Sequence, residues 1–171
     1  MHARTVFALT LLVAAVAPPV FGQSTEHQHG LVTDKGTQAT DSSITRSADT
    51  GAILVTFPAP LREHTLANMR DHLSVLAEIQ GHISTHRYDL AAEIAEQRLG
   101  MSSLKLHGAH EVEKYMPKGM QNAGSAMHHS ASKFALAAQE SAIDNDMGKS
   151  VAALATLTQA CVACHAVYRL R

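Results

Sequence analysis

The sequence predicts an all-α protein: an antiparallel four-helix bundle preceded by a flexible N-terminal arm. Three observations carry this. Beyond Pro60, apolar residues recur at three- and four-residue steps in four separate stretches, the spacing of helices with one buried face. Alanine, leucine and methionine supply most of the apolar residues, and all three favour helix. The links between stretches are mostly short, which makes consecutive helices antiparallel neighbours.

Residues 1–22 read as a signal peptide. Arg4 precedes an apolar run from Val6 to Ala17, and a proline-containing turn leads to Val20-Phe21-Gly22, with cleavage expected after Gly22. The run is too short to span a bilayer, and no cysteine sits at the cleavage site to take a lipid. The expectation is export to the periplasm as a soluble protein with no membrane anchor. Residues 23–59 form a polar tail and extended arm. The part to about Thr50 is rich in Ser, Thr, Gln, Asp and Gly without apolar period and is expected to have no fixed structure alone. Ile53-Leu54-Val55-Thr56-Phe57 is β-prone and closed by Pro58 and Pro60, with no partner strand visible.

Residues 60–171 hold the helices. The first spans about 60–85, with Leu66, Met69, Leu73, Leu76, Gln80 and Ile83 as its inner stripe and Pro60 in its first turn. A second starts after an Asp89 cap and turns Leu90, Ile94 and Ala95 inward, reaching Leu99 or Leu104. His107 to Pro117 reads as a longer connection. Pro117 opens a third helix with Met120, Ala123, Met127, Ala131, Phe134 and Ala138 inward, and Asp144-Asn145-Asp146 is a turn and cap. The fourth runs from Met147 to Leu170 and places Val151, Leu154, Leu157, Thr158, Cys161, Cys164, His165 and Tyr168 on its inner side.

A formal net charge of −1 and the lack of a long Lys/Arg run argue against a nucleic-acid surface or polybasic membrane anchor. Aromatic content of 4% without tryptophan gives no base-stacking platform.

The chain's only two cysteines lie in Cys161-Val162-Ala163-Cys164-His165. In haem c attachment two such thiols add to the vinyl groups and the adjacent histidine becomes the proximal iron ligand. On a helix, positions i, i+3 and i+4 share a face, so one porphyrin can lie against this helix. The expected cofactor is one covalent haem c per chain, with His165 as an iron ligand. A redox dithiol would want a βαβ setting, and a zinc site would want a second CxxC.

With its terminal position among four helical patterns, Cys161 to Arg169 resembles the cytochrome c-prime family and its low-spin relatives, in which the haem motif ends the last helix and is followed by an aromatic residue and Arg. Tyr88-Asp89-Leu90-Ala91-Ala92 is similar to that family's start of helix two, and the resemblance covers 60–171. It implies a bundle with haem near the C-terminus of the last helix. It also implies an open-side residue early in helix one, which counting back from Tyr88 places at Met69. Low-spin members ligate iron through such a methionine; high-spin members leave iron five-coordinate. Where high-spin members carry Arg one turn earlier, this chain has Thr65, with Arg62 and Arg70 as nearest cations. A homodimer through the outer faces of helices one and two is also implied.

The residue expectations follow. His165 is the proximal and Met69 the distal iron ligand, while Met101, Met116, Met120 and Met127 serve packing. Arg169 either covers the proximal side and meets a propionate or complements the helix dipole. Tyr168 packs against the last turns. His64 and His72 could offer bis-histidine ligation. His27, His29, His107, His110, His128 and His129 read as scattered, solvent-facing residues, with a weak Cu or Zn surface site as the alternative.

The expected function is a periplasmic monohaem c-type cytochrome, not an enzyme, passing single electrons to redox partner proteins. The alternative is a five-coordinate haem protein binding NO or CO. A third reading, peroxidase-like catalysis, would need a distal acid–base group such as His64 or His72.

Overall fold

The computed structural model describes residues 44–46 and 51–171. The signal-peptide expectation for 1–22, and the tail apart from 44–46, lie outside the described residues.

The described chain is mostly helical with little sheet. In order it forms β1 (Ile44–Arg46), β2 (Ile53–Val55), α1 (Ala59–Ser84), α2 (Tyr88–Arg98), a 3-10 turn (Met101–Ser103), α3 (Ala109–Glu113), α4 (Lys118–Asp144), α5 (Met147–Val167) and β3 (Tyr168–Leu170). Prolines open the two longest helices: Pro60 sits in the first turn of α1, and Pro117 flanks α4 in extended conformation, positions where a missing N–H costs nothing. Two residues in the left-handed region end α1 and α4, His86 (φ 56°) and Asn145 (φ 57°). They hydrogen-bond each other at 3.0 Å, tying the α1–α2 turn to the α4–α5 turn. Asp146 then caps α5 by accepting from the Lys149 N–H at 3.1 Å, as the sequence predicted for this turn.

The main core joins Val75, Ile79 and Ile83 of α1, Tyr88, Ala91 and Ala95 of α2, Met127, Ala131 and Phe134 of α4, and Leu154 and Leu157 of α5. Alanines bring α2 against α4, and the fully buried Phe134 fills the space between them. A smaller cluster packs Val55, Phe57 and Val112 with Leu61, Tyr115 and Tyr168.

Several expectations change. The buried column of α1 is Thr65, His72, Val75, Ile79 and Ile83. Leu73 is 68% exposed and Gln80 is exposed. The polar members of the true column hid it: Thr65 satisfies its hydroxyl by donating to the Leu61 carbonyl at 2.8 Å, and His72 is buried through a hydrogen bond described below. α2 begins at Tyr88, with Asp89 inside its first turn and Leu90 outward. Tyr88 takes the inner position because its ring is apolar while its hydroxyl reaches the His86 ring at 2.9 Å. The 107–117 connection contains the short helix α3, entered through Gly108 at φ 61°.

α5 stops at Val167, three residues before the expected end, and Val151 on it is exposed. The chain after it turns into β3, which runs parallel to β2 with Ile53 opposite Tyr168 and Val55 opposite Leu170. β2 therefore has the partner that was not visible in sequence. It has a second on its other side, β1, whose Ile44 pairs antiparallel with Val55, so this part of the expected unstructured tail is a strand. By length and composition α5 is apolar enough to cross a membrane (mean hydropathy 1.5), while Leu154 and Leu157 bury one side of it in the core.

Candidate cofactor site

A cavity of about 540 Å³ lies where α1, the first half of α4, the 101–116 segment and the end of α5 meet. That volume is typical of cofactor pockets. Met69 enters from α1, Met120, Met127 and His128 from α4, and Met101, Leu104, His107 and Met116 from the connection. Cys164, His165, Tyr168, Arg169 and Leu170 enter from the last helix and strand. Four of the five expected site residues thus line one cavity. The fifth, Cys161, lies one turn earlier on α5, half-buried against the main core, with its Sγ 3.6 Å from the Leu157 carbonyl.

Five methionines on the wall supply an apolar, polarizable and conformationally adaptable lining. Burial pushes both cysteine thiols up from their ordinary pKa, and for Cys164 the neighbouring Cys161 adds to the effect. Thiols held protonated are poor thiolate nucleophiles, which disfavours the redox-dithiol reading. Among the described residues no group of three or more His, Cys, Asp or Glu side chains could hold a metal ion, so the motif gains no zinc-completing partners. A haem fits what is present: two thiols and an imidazole within two turns of one helix, an apolar cavity beside them, and a thioether from another helix.

Arg169 donates from its guanidinium to the carbonyls of His165 and Tyr168, the latter at 2.8 Å. His165 lies in the last turn of α5 and Tyr168 follows it, so in this structure Arg169 complements the helix terminus. Tyr168, expected to pack against the last turns of the helix, lies instead in β3 and packs in the smaller cluster with Val55, Phe57 and Val112. Its hydroxyl stands where a Cβ on Gly119 would fall, leaving no room for a side chain there. Gly119→Ala should therefore lower stability by about 1–3 kcal/mol through overpacking, read as a shift in urea midpoint. An unchanged midpoint would show that Tyr168 moves aside freely. Arg62 and Arg70, the candidate propionate partners, do not line the cavity.

The histidines hold the main surprise. His107 and His128 are buried rather than solvent-facing, and His72 joins them. His72 Nε2 lies 3.3 Å from His107 Nε2, His107 Nδ1 lies 3.3 Å from Ser103 Oγ, and His128 Nδ1 lies 2.7 Å from the Leu99 carbonyl. Ser103 donates to the Gly100 carbonyl at 2.7 Å. Burial, reinforced by neighbouring imidazoles, lowers the pKa of His72 to about 4; burial and the adjacent His128 bring His107 to about 4 as well. His128 is lowered chiefly by burial. Neither His64 nor His72 lines the cavity, so neither expected bis-histidine candidate reaches it directly. His110 and His129 are exposed, and His27 and His29 lie outside the described residues. The helical spacing from Thr65 to His72, two turns on one face, was the sequence signal for this burial. The convergence with His107 and His128 is a tertiary event without a local signature.

No family model matches this chain, and no curated protein or solved structure shows significant similarity to it.

Proposed function

We propose that this chain is a periplasmic monohaem c-type cytochrome of the cytochrome c-prime kind that carries single electrons between redox partner proteins. In this reading α1, α2, α4 and α5 form the antiparallel four-helix bundle and the haem lies beside the end of α5. The convergence of Met69 with Cys164 and His165 on one apolar cavity is the observation that carries it. Bound haem supplies iron that cycles between Fe(III) and Fe(II). The chain's own contribution is positional. Cys161 and Cys164 would hold the group by thioether bonds, and the His165 imidazole and the Met69 thioether would be its iron ligands. The methionine-rich wall supplies an apolar surface on the cavity side, which would favour a raised potential. With His165 and Met69 both on the iron the site would take no exogenous ligand, as the carrier reading requires. The homodimer belongs to the same proposal, supported by Leu73 and Leu90, which are exposed on α1 and α2.

Met69→Ala tests the ligand. The oxidised wild type should be low-spin, and the variant high-spin, lower in potential and able to bind CO when reduced, as read by absorption spectra and redox titration. A wild type that is already high-spin and binds CO rapidly would overturn the carrier reading in favour of the five-coordinate NO- or CO-binding alternative.

A further inference from the structure

Two buried imidazoles, His107 and His128, line the cavity in which an iron would change its charge, and a third, His72, lies behind them on His107. Their hydrogen bonds define which nitrogens carry protons. The Leu99 carbonyl can only accept, so His128 is protonated on Nδ1 and turns Nε2 away from that bond. Ser103 spends its hydroxyl proton on the Gly100 carbonyl, so its oxygen accepts from His107 Nδ1–H. His107 Nε2 is then the acceptor, and His72 Nε2–H donates to it. The chain runs His72 to His107 to Ser103 to a backbone carbonyl and ends there. It is a site that can hold one more proton, not a wire through the protein.

We propose that this imidazole cluster couples electron transfer to proton uptake: when the iron gains one electron from a partner, the proton occupancy of His72–His107 rises by uptake from solvent, and it falls again on reoxidation. This rests on the haem reading. Burial and the neighbouring imidazoles favour the neutral forms, and Asp71 opposes them. Asp71 on α1 faces both His72 and His107, but it is already paired with Arg98 of α2, which also holds Glu78 at 2.9 Å. His64 of α1 faces His107, His129 of α4 faces His128, and His165 of α5 faces His72. No unpaired carboxylate among the described residues is shown beside the cluster, so the charge on the iron becomes the variable that moves its proton affinity. Fe(III) to Fe(II) removes one positive charge, which raises that affinity. For any separation of about 10 Å at an effective dielectric of about 20, one charge would shift a pKa by about one unit. The depressed affinities of His72 and His107 place the coupling on the acid side of neutrality.

The test is a redox titration of the holoprotein from pH 4 to 7, with wild type, the doubly substituted His72→Gln, His107→Gln variant, and His129→Gln as an exposed control. The wild-type and control potentials should fall as pH rises through the acid range, and the double variant should lose that slope. Independently, NMR titration of the imidazoles in the wild type should give His72 and His107 pKa values about one unit higher in the reduced protein than in the oxidised. An equal slope in all three proteins, or identical imidazole titrations in both oxidation states, overturns the coupling while leaving the cytochrome reading intact. A preparation competent in haem attachment that yields no covalent haem overturns that reading first.

Discussion

Alanine at both Cys161 and Cys164 is expected to abolish covalent haem retention. Acid–acetone extraction of the wild type should leave haem with the polypeptide, whereas the double variant should release all of it. The reason is chemical rather than conformational. The two thiols occupy one face of α5 at i and i+3, and no other cysteine exists to replace either. One detail sharpens the expectation: Cys164 lines the cavity while Cys161 lies against the main core. A single Cys164→Ala variant should therefore lose more haem than Cys161→Ala. Complete extraction of haem from the wild type would end the covalent-attachment proposal.

Acidification should destabilise the fold well before its carboxylates titrate. His72 and His107 have folded pKa values of about 4 against an ordinary 6.5. Their neutral forms are therefore favoured by folding. The sign follows: this stability is fully present above pH 6.5 and is lost as pH falls from 6.5 toward 4, where the unfolded chain binds protons that the native state refuses. A shift of this size corresponds to about 3 kcal/mol for one group, and the two share a bond, so about 3 kcal/mol is the expected loss for the pair. Urea midpoints at pH 7 and pH 4.5 should differ accordingly, with the difference much reduced in the His72→Gln, His107→Gln protein. Equal pH dependence in the two proteins would show that the buried pair is not the acid-sensitive element.

Helix existence was legible because it follows from local spacing: four periodic stretches became α1, α2, α4 and α5, and Pro60, Pro117 and the Asp144–Asp146 turn marked boundaries that the structure keeps. Which face of α1 turns inward was not legible, because Thr65 and His72 look polar in sequence and become buried only by finding partners on Leu61 and His107. The short strand pairings were hidden for a similar reason. Three residues at Ile44–Arg46 and three at Tyr168–Leu170 carry no periodic signal, and only their meeting with Ile53–Val55 makes them strands. Met69, Cys164, His165 and Arg169 line one cavity while Cys161 lies outside it, whereas the His72–His107–His128 cluster arises from three segments distant in sequence.

The parallel pairing of β2 with β3 closes the described domain into a ring. Arg171 donates from its backbone N–H to the Val55 carbonyl at 3.1 Å and from its guanidinium to Thr56 at 3.0 Å, a contact spanning 115 residues. Closing a loop of that length costs about 4 kcal/mol of chain entropy beyond the fixed term, whereas α1 meets α2 and α4 meets α5 across turns of only a few residues. The helical hairpins can therefore assemble while the ring is still open. Tyr168 and Leu170 belong to both the latch and the cavity wall, so this wall is the last part of the site to be built and the first to be lost when the two ends separate.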